Sequence, residues 1–189
     1  AGALGLALIS PLLAVTALAI RIDSPGPVFY TQTRVGQDGK PFTMWKFRSM
    51  YIDSDARRAS VVKAGGDAGN EVMFKDRQDP RITRVGRWIR RLSIDELPQL
   101  INVVRGDMSL VGPRPALPVE VAKYDAEALR RLLVKPGLTG LWQISGRSDL
   151  SWASTVALDR HYVENRGGAL DAKIFAGTLR AVIGGKGAY

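Results

Sequence analysis

The first twenty positions carry no charge, reading AGALGLALISPLLAVTALAI, and the first ionisable side chain is Arg21. As a helix this run would extend about 30 Å, the thickness of a bilayer's hydrocarbon core. Hydropathy by itself therefore predicts a spanning helix. A secretory signal fits less well, because no basic segment precedes the run, and a buried helix of a soluble core would be unusually apolar. Pro11 lies in the middle of the run. It removes a backbone donor and clashes with the preceding turn, which predicts a kink there. Ser10 is placed to hydrogen-bond a backbone group freed at that break. The remainder is rich in Lys and Arg, which favours the cytoplasmic side.

Beyond the apolar run the pattern reads as one compact unit. DSPGP (23–27) is a turn cluster. VFYTQTRV (28–35) and PFTMWKFRSM (41–50) flank Asp38-Gly39, which predicts a β-hairpin on an Asp-Gly turn. Residues 51–79 are polar and contain Gly65-Gly66 and Gly69, predicting a helix start and then a mobile loop. In RITRVGRWIRRL (81–92), Ile82, Val85, Ile89 and Leu92 recur at helical spacing with Trp88 beside them, while Arg81, Arg84, Arg87 and Arg91 fall on another face. Such a helix suits either a headgroup boundary or a core with a solvated basic face. Together with the apolar N-terminus, the membrane-surface reading is favoured. Residues 119–133, Ser151 to Glu164 and Asp171 to Ile183 read as further helices, the last two separated by Gly167-Gly168. There is no internal repeat. The fold expected is α+β and mostly helical.

Composition narrows the chemistry. The 189 residues suffice for one domain with a real core. There is no Cys and a single His, His161, which excludes disulfides, thiolate sites, thiol catalysis and a multi-His metal centre within one chain. His161 reads as structural. The balance of 27 Lys and Arg against 18 Asp and Glu, a net charge of +9, suggests a polyanionic partner. The chain begins with Ala rather than Met, which reads as a fragment or a processed chain. Phosphate-loop, dinucleotide and nucleophile-elbow motifs are missing. An enzyme built from these residues must work with carboxylates and cations, with or without a hard metal ion, which points to phosphate chemistry.

One stretch, SIDELPQLINVVRGDMSLVGPRP (93–115), concentrates those groups. Asp95 and Glu96 precede an apolar helical pattern of Leu97, Leu100, Ile101 and Val104. Pro98 is tolerable only in a first turn, which puts the predicted helix start near Asp95. Two carboxylates there can hold Mg²⁺, or one can be a nucleophile. Equally, Asp95 can be an N-cap, or Ser93 and Glu96 a capping box. In Gly112-Pro113-Arg114-Pro115 the prolines stiffen a loop that presents one guanidinium, suited to bidentate phosphate capture or to a structural Arg–carboxylate pair. Lys46 and Arg48 converge on the same anion or are solvated, and Asp159 and Asp171 are substrate groups or surface charges.

KFRSM (46–50), DPRITRVGRWIRRLSIDELPQLINVVRGDMSLVGPRP (79–115), KPGLTGLWQISGR (135–147) and GKGAY (185–189) closely resemble the bacterial sugar transferases, the small monotopic phosphoglycosyl transferases. The match runs through nearly the whole chain in order. The resemblance implies transfer of a sugar-1-phosphate from a UDP-sugar to undecaprenyl phosphate with release of UMP, at the cytoplasmic face of the bacterial inner membrane. That is the first membrane step of exopolysaccharide, O-antigen or glycoprotein glycan synthesis.

The resemblance also implies roles. Asp95 and Glu96 become the catalytic dyad, with Asp95 the nucleophile that forms a phosphosugar–aspartyl intermediate and a ligand of the required Mg²⁺. Ser10-Pro11 becomes the break of a re-entrant helix that enters and leaves one leaflet, overriding the spanning helix. Residues 1–22 are then the re-entrant membrane helix and 23–189 a catalytic domain whose amphipathic helices lie at the interface. Arg114 matches the family's Pro-Arg-Pro motif and is assigned to the donor phosphates or nucleotide. Lys46, Arg48, Arg90, Arg147, Asp159 and Asp171 are the further substrate-binding candidates. Membrane lipids are expected partners, a homodimer is allowed, and nucleic acid is not expected.

The chain departs from the family in starting inside the apolar run, and in reading RGGAL (166–170) where the family is commonly rich in Trp and Leu. Members that start synthesis with glucose or galactose share the GLWQISGR stretch and often carry extra N-terminal membrane helices, which would fit a chain cut at Ala1. A membrane-surface scaffold would explain the basic helix and apolar anchor without needing Asp95-Glu96. A nucleic-acid-binding protein would explain the charge but not the apolar run.

Overall fold

The computed structural model describes residues 2–54, 79–146 and 150–183. Helix α1 (Gly2–Asp23) contains the apolar run. It passes through Pro11 as one helix, so the expected break there is a local defect within a continuous element. The Ser10 hydroxyl donates to the Ala7 carbonyl at 2.9 Å, the acceptor that Pro11, lacking an N–H, leaves unmatched. The helix has two faces. Leu13, Thr16, Ala17 and Ile20 turn inward, whereas Leu8, Leu12, Val15, Leu18 and Ile22 form an exposed apolar stripe.

Strands β1 (Phe29–Val35) and β2 (Pro41–Phe47) form the predicted antiparallel hairpin. Its register pairs Val35 with Pro41, so five residues connect the strands rather than a two-residue Asp-Gly turn. Gly36 and Lys40 close this loop (N···O 2.8 Å), with Asp38 and Gly39 in the left-handed region. The free edge of β2 is covered by a side chain. Asn102, fully buried, accepts from the Trp45 N–H (3.1 Å) and donates to the Thr43 carbonyl (2.7 Å), as a neighbouring strand would.

Helix α2 (Arg84–Arg91) starts on Thr83, whose hydroxyl accepts from the Gly86 N–H at 2.9 Å. A Cβ at Gly86 would collide with the Ser49 carbonyl, so the helix packs on the hairpin only with glycine there. The predicted apolar stripe divides. Ile82 and Ile89 are buried, while Trp88 and Leu92 are exposed. Arg81 leaves the predicted basic face: it precedes the helix and is buried in a bidentate pair with Asp79 (2.6 Å at its shortest).

A 3-10 turn (Ile94–Gln99) follows, and helix α3 (Leu100–Arg105) begins only at Leu100, not near Asp95. Pro98, buried in that turn, forces the difference, because its ring and missing N–H are tolerated before the helix and not inside it. Ile20 on α1, Phe47 on β2, Ile89 on α2 and the half-buried Ile94 share one apolar cluster.

The second half holds a parallel pair, β3 (Ser109–Val111) with β4 (Gly137–Thr139), which the hydrophobic pattern did not reveal. Three-residue strands are too short to show a period. Residues 119–133 form pieces rather than one helix: α4 (Pro118–Val121), α5 (Ala126–Leu129) and a 3-10 turn (Arg130–Leu133). After the short α6 (Leu141–Ile144) come α7 (Trp152–Asn165) and α8 (Gly168–Ile183). Gly168 opens α8, so only Arg166 and Gly167 separate the two. Val111, Val134, Tyr162 and Ile174 make the second core. Ile52–Ser54 is a single 3-10 turn, and the loop expected after it lies outside the described residues.

Asn102→Leu tests the brace on β2. It would leave the Trp45 N–H and Thr43 carbonyl unpaired, at about 1–3 kcal/mol each. Chemical denaturation should show a loss of roughly that size, and a stability equal to the parent chain would show the edge contact to be dispensable.

Candidate active site

Asp95 and Glu96 occupy the first turn of the 3-10 segment between α2 and α3. Ser93 sets up this position. It adopts the left-handed conformation (φ 55°) that ends α2, with its N–H on the Arg90 carbonyl at 3.0 Å. Its side chain caps nothing, and the N-cap of α3 is Gln99. Neither capping account of Asp95 and Ser93 therefore holds. Ile94 anchors the turn from below in the cluster with Ile20, Phe47 and Ile89, and buried Pro98 and Gln99 anchor its far end.

Lys46 reaches across from β2. Its Nζ lies 2.7 Å from Glu96 Oε1, both side chains being partly exposed. Burial pushes the Asp95 carboxyl up to about 6; Lys46 works against this, Glu96 with it, and Arg90 against it. Asp95 is thus a poorly solvated carboxylate among two cations and a second acid, an arrangement that suits nucleophilic or ligating work. Among the described residues, no three acidic or His side chains gather into a ready metal cage. Two adjacent carboxylates nonetheless fit a hard divalent ion that keeps most of its waters.

The Arg114 loop is held on two sides. Gly137 N–H donates to the Pro113 carbonyl (2.9 Å) and Gly112 N–H to the Thr139 carbonyl (2.8 Å). On the hairpin side Val35 N–H donates to the Ala116 carbonyl (2.9 Å) and Arg34 Nη1 to the Pro115 carbonyl (3.1 Å). Arg114 itself pairs loosely with buried Glu120, at 3.5 Å to either oxygen. Glu120 Oε2 is meanwhile engaged by the Leu117 N–H at 2.7 Å.

Other predicted residues lie elsewhere. Arg48 is buried and donates to the Ser24 and Pro25 carbonyls and the Ser24 hydroxyl, tying the hairpin to the end of α1. Asp159 is no surface charge. It is fully buried, 2.7 Å from Arg131, whose guanidinium is packed by the Tyr124 and Trp152 rings. Burial pushes the Asp159 carboxyl up to about 6 despite Arg131. Asp171 accepts from the Tyr162 hydroxyl at 2.9 Å, at the start of α8. His161 is exposed on α7, with the Asn165 side-chain amide 3.3 Å from its Nδ1. Arg147 lies outside the described residues. The structure thus brings Lys46 and Arg90 to Asp95-Glu96 and frames Arg114 separately. Arg34, Glu120 and Arg131 lie outside the quoted motifs, and Asn102, though within the 79–115 stretch, has no ionisable group to single it out; none of the four was found from sequence.

A model of the bacterial sugar transferases matches residues 1–185. The chain belongs to that family. The transferase is 42% identical to an exopolysaccharide production protein of Rhizobium meliloti, over all of this chain and 84% of the relative. It is 45% identical to an undecaprenyl-phosphate galactose phosphotransferase of Salmonella typhimurium, over 87% of this chain and 35% of the relative. It is 45% identical to an undecaprenyl-phosphate glucose phosphotransferase of Komagataeibacter xylinus, over 96% of this chain and 34% of the relative. The transferase thus spans about a third of those last two relatives. Helix α1, long and apolar enough to cross a bilayer over Gly5–Asp23 (mean hydropathy 2.0), fits membrane association.

The Arg131–Asp159 pair makes stability depend on pH. Asp159's folded pKa lies above the ordinary value near 4, so its protonation favours the fold. That contribution is full below about pH 4 and is lost as pH rises through about 6. Arg131→Met removes the main group opposing the shift, so the loss extends higher. Its cost should be about 3–5 kcal/mol near pH 7.5 and clearly smaller near pH 5. Equal costs at both would show that Asp159 does not titrate in this way.

Proposed function

We propose that this transferase moves a sugar-1-phosphate from a UDP-sugar to undecaprenyl phosphate and releases UMP, at the cytoplasmic face of the inner membrane. The observation that carries the reading is the setting of Asp95: a half-buried carboxylate with Lys46 and Arg90 in electrostatic reach, on the turn between two helices that both pack on apolar α1. A lipid acceptor requires the site near the headgroup plane, and this packing puts the dyad beside the helix that would enter the bilayer. The names of the Salmonella and Komagataeibacter relatives support undecaprenyl phosphate as acceptor and galactose or glucose as the sugar.

In this reading an Asp95 oxygen attacks the β-phosphorus of the donor. The bond from that phosphorus to the bridging oxygen breaks, and UMP leaves with the electron pair. A phosphate oxygen of undecaprenyl phosphate then attacks the same phosphorus, displacing Asp95 and giving the lipid diphosphate sugar. Lys46 holds Glu96 in place beside Asp95, and Arg114 receives the donor phosphates. Asp95 and Glu96 would hold Mg²⁺, which when bound neutralises phosphate charge. Helix α1 enters and leaves a single leaflet, with Ser10-Pro11 as its weak point.

Asp95→Asn is nearly isosteric, and Asp95 caps no helix, so the fold should survive. Turnover of UDP-glucose or UDP-galactose, read as UMP release, should fall by roughly a thousandfold or more. Without acceptor, rapid acid quenching of the parent enzyme should leave one sugar phosphate on the peptide containing Asp95. Retained turnover, or an adduct elsewhere, would remove Asp95 from the role.

Helix α1 has its own test. With cysteines placed at both ends of α1, labelling should reach both from the cytoplasmic side. Replacing Ser10 and Pro11 with Leu should convert the helix to a spanning one. An N-terminal end reached only from outside in the parent sequence would replace the re-entrant arrangement by a spanning helix.

A further inference from the structure

Arg34, next to last in β1, is 7% exposed, and its surroundings are unusual for a buried cation. Both its hydrogen-bond partners are neutral: the Pro115 carbonyl at 3.1 Å and Gln32 Oε1 at 2.6 Å. Its Nε is buried and has no partner among the described residues. Burial first, and then the neighbouring Arg114, push the guanidinium down to about 10. Burying an arginine without a carboxylate of its own costs stability. An uncharged side chain could hold the same carbonyl, so the charge itself calls for a reason.

The reason lies in the charge inventory around Arg114. Arg34, Arg114 and Arg131 face the carboxylates of Glu120 and Asp159; Glu96 also acts on Arg34 but is taken by Lys46 at 2.7 Å. Asp159 is taken by Arg131 at 2.7 Å. Arg34 and Arg114 are left with Glu120, whose pair with Arg114 is long and whose Oε2 is shared with a backbone N–H. One positive charge is therefore in excess. Arg34 cannot meet a ligand itself, being enclosed. Its anchor, however, is the carbonyl of the residue after Arg114, and the next residue, Ala116, is bound to Val35. Arg114, by contrast, keeps 29% of its side chain exposed.

We propose that Arg34 is a positioning residue that prepares Arg114 for a diphosphate ligand. It fixes the loop through Pro115, and it keeps Arg114 short of counter-charge, so that an incoming diphosphate completes the cluster. This rests on the assignment of Arg114 to the donor phosphates made above.

The test uses the full chain in detergent, titrated calorimetrically with inorganic pyrophosphate and with UDP. Arg34→Gln keeps an amide donor for Pro115 and drops the charge. It should weaken both ligands about tenfold and raise the donor KM by a similar factor, with kcat within about threefold. Arg34→Lys keeps the charge and should bind within about threefold of the parent. Adding Arg34→Gln to Arg114→Ala should weaken binding no further, because the first acts through the second. Binding by Arg34→Gln within twofold of the parent would overturn the proposal, as would an undiminished effect in the Arg114→Ala background. Should Arg34→Gln not fold, a folded Arg34→Lys as weak as Arg114→Ala would overturn it equally. Parent-like binding by Arg114→Ala would instead overturn the assignment of Arg114 to the donor, and this proposal with it.

Discussion

The β1–β2 hairpin has to hold two charged groups in place at once, and most of the remaining packing serves that requirement. Its second strand carries Lys46 to within 2.7 Å of Glu96. The end of its first strand holds the Arg114 loop through Arg34 and Val35. A two-stranded ribbon alone is marginally stable in water. Here each open flank is closed by something other than a third strand. Asn102 supplies one side-chain amide to the edge of β2, and the Ala116 bridge extends β1. The carboxylate pair and the guanidinium loop are therefore both tied to one hairpin, through the Lys46, Asn102 and Arg34 side chains and the Val35–Ala116 backbone bond, which suits a site that works by positioning and charge.

The same hairpin joins the apolar helix to the candidate pair Asp95-Glu96. Phe47 ends β2 in the cluster with Ile20, Ile89 and Ile94. Arg48, one residue on, grips the carbonyls just past the end of α1. Burial of one face of α1 against the domain leaves its other face apolar and exposed. In water such a stripe would be a liability; next to lipid it is solvated. The dyad follows Ile94 directly, so anchoring the helix and locating the carboxylates are one packing event.

Much of the site was legible before the structure, though in an ambiguous form. Adjacent Asp95 and Glu96 before an apolar pattern read as capping or as chemistry, and local spacing alone favours capping. Only the left-handed Ser93 and the late start of α3 at Leu100 removed capping. Arg48 and Lys46 look alike in sequence, two residues apart. One is locked on carbonyls and the other reaches the dyad, because the strand ends at Phe47 between them. Asp159 looks like a surface acid on an amphipathic helix, yet it is enclosed with Arg131, a partner 28 positions earlier whose approach no periodicity records.

What the sequence determined by itself is whatever local covalent chemistry and short-range pattern decide. An uncharged run of that length makes an apolar helix, alternation around a Gly-rich loop makes a hairpin, Pro98 delays a helix, and the lack of Cys and the single His direct the chemistry to carboxylates and cations. The family motifs lie in the same local stretches, so membership could be read there too. Tertiary structure alone decided which charges are exposed, paired or left over. The burial of Arg34, the loose Arg114–Glu120 contact and the elevated Asp95 and Asp159 carboxyls all depend on side chains brought together from distant positions. Charge in a low-dielectric interior takes its energy from its nearest neighbours in space, and those neighbours are chosen by packing rather than by spacing along the chain.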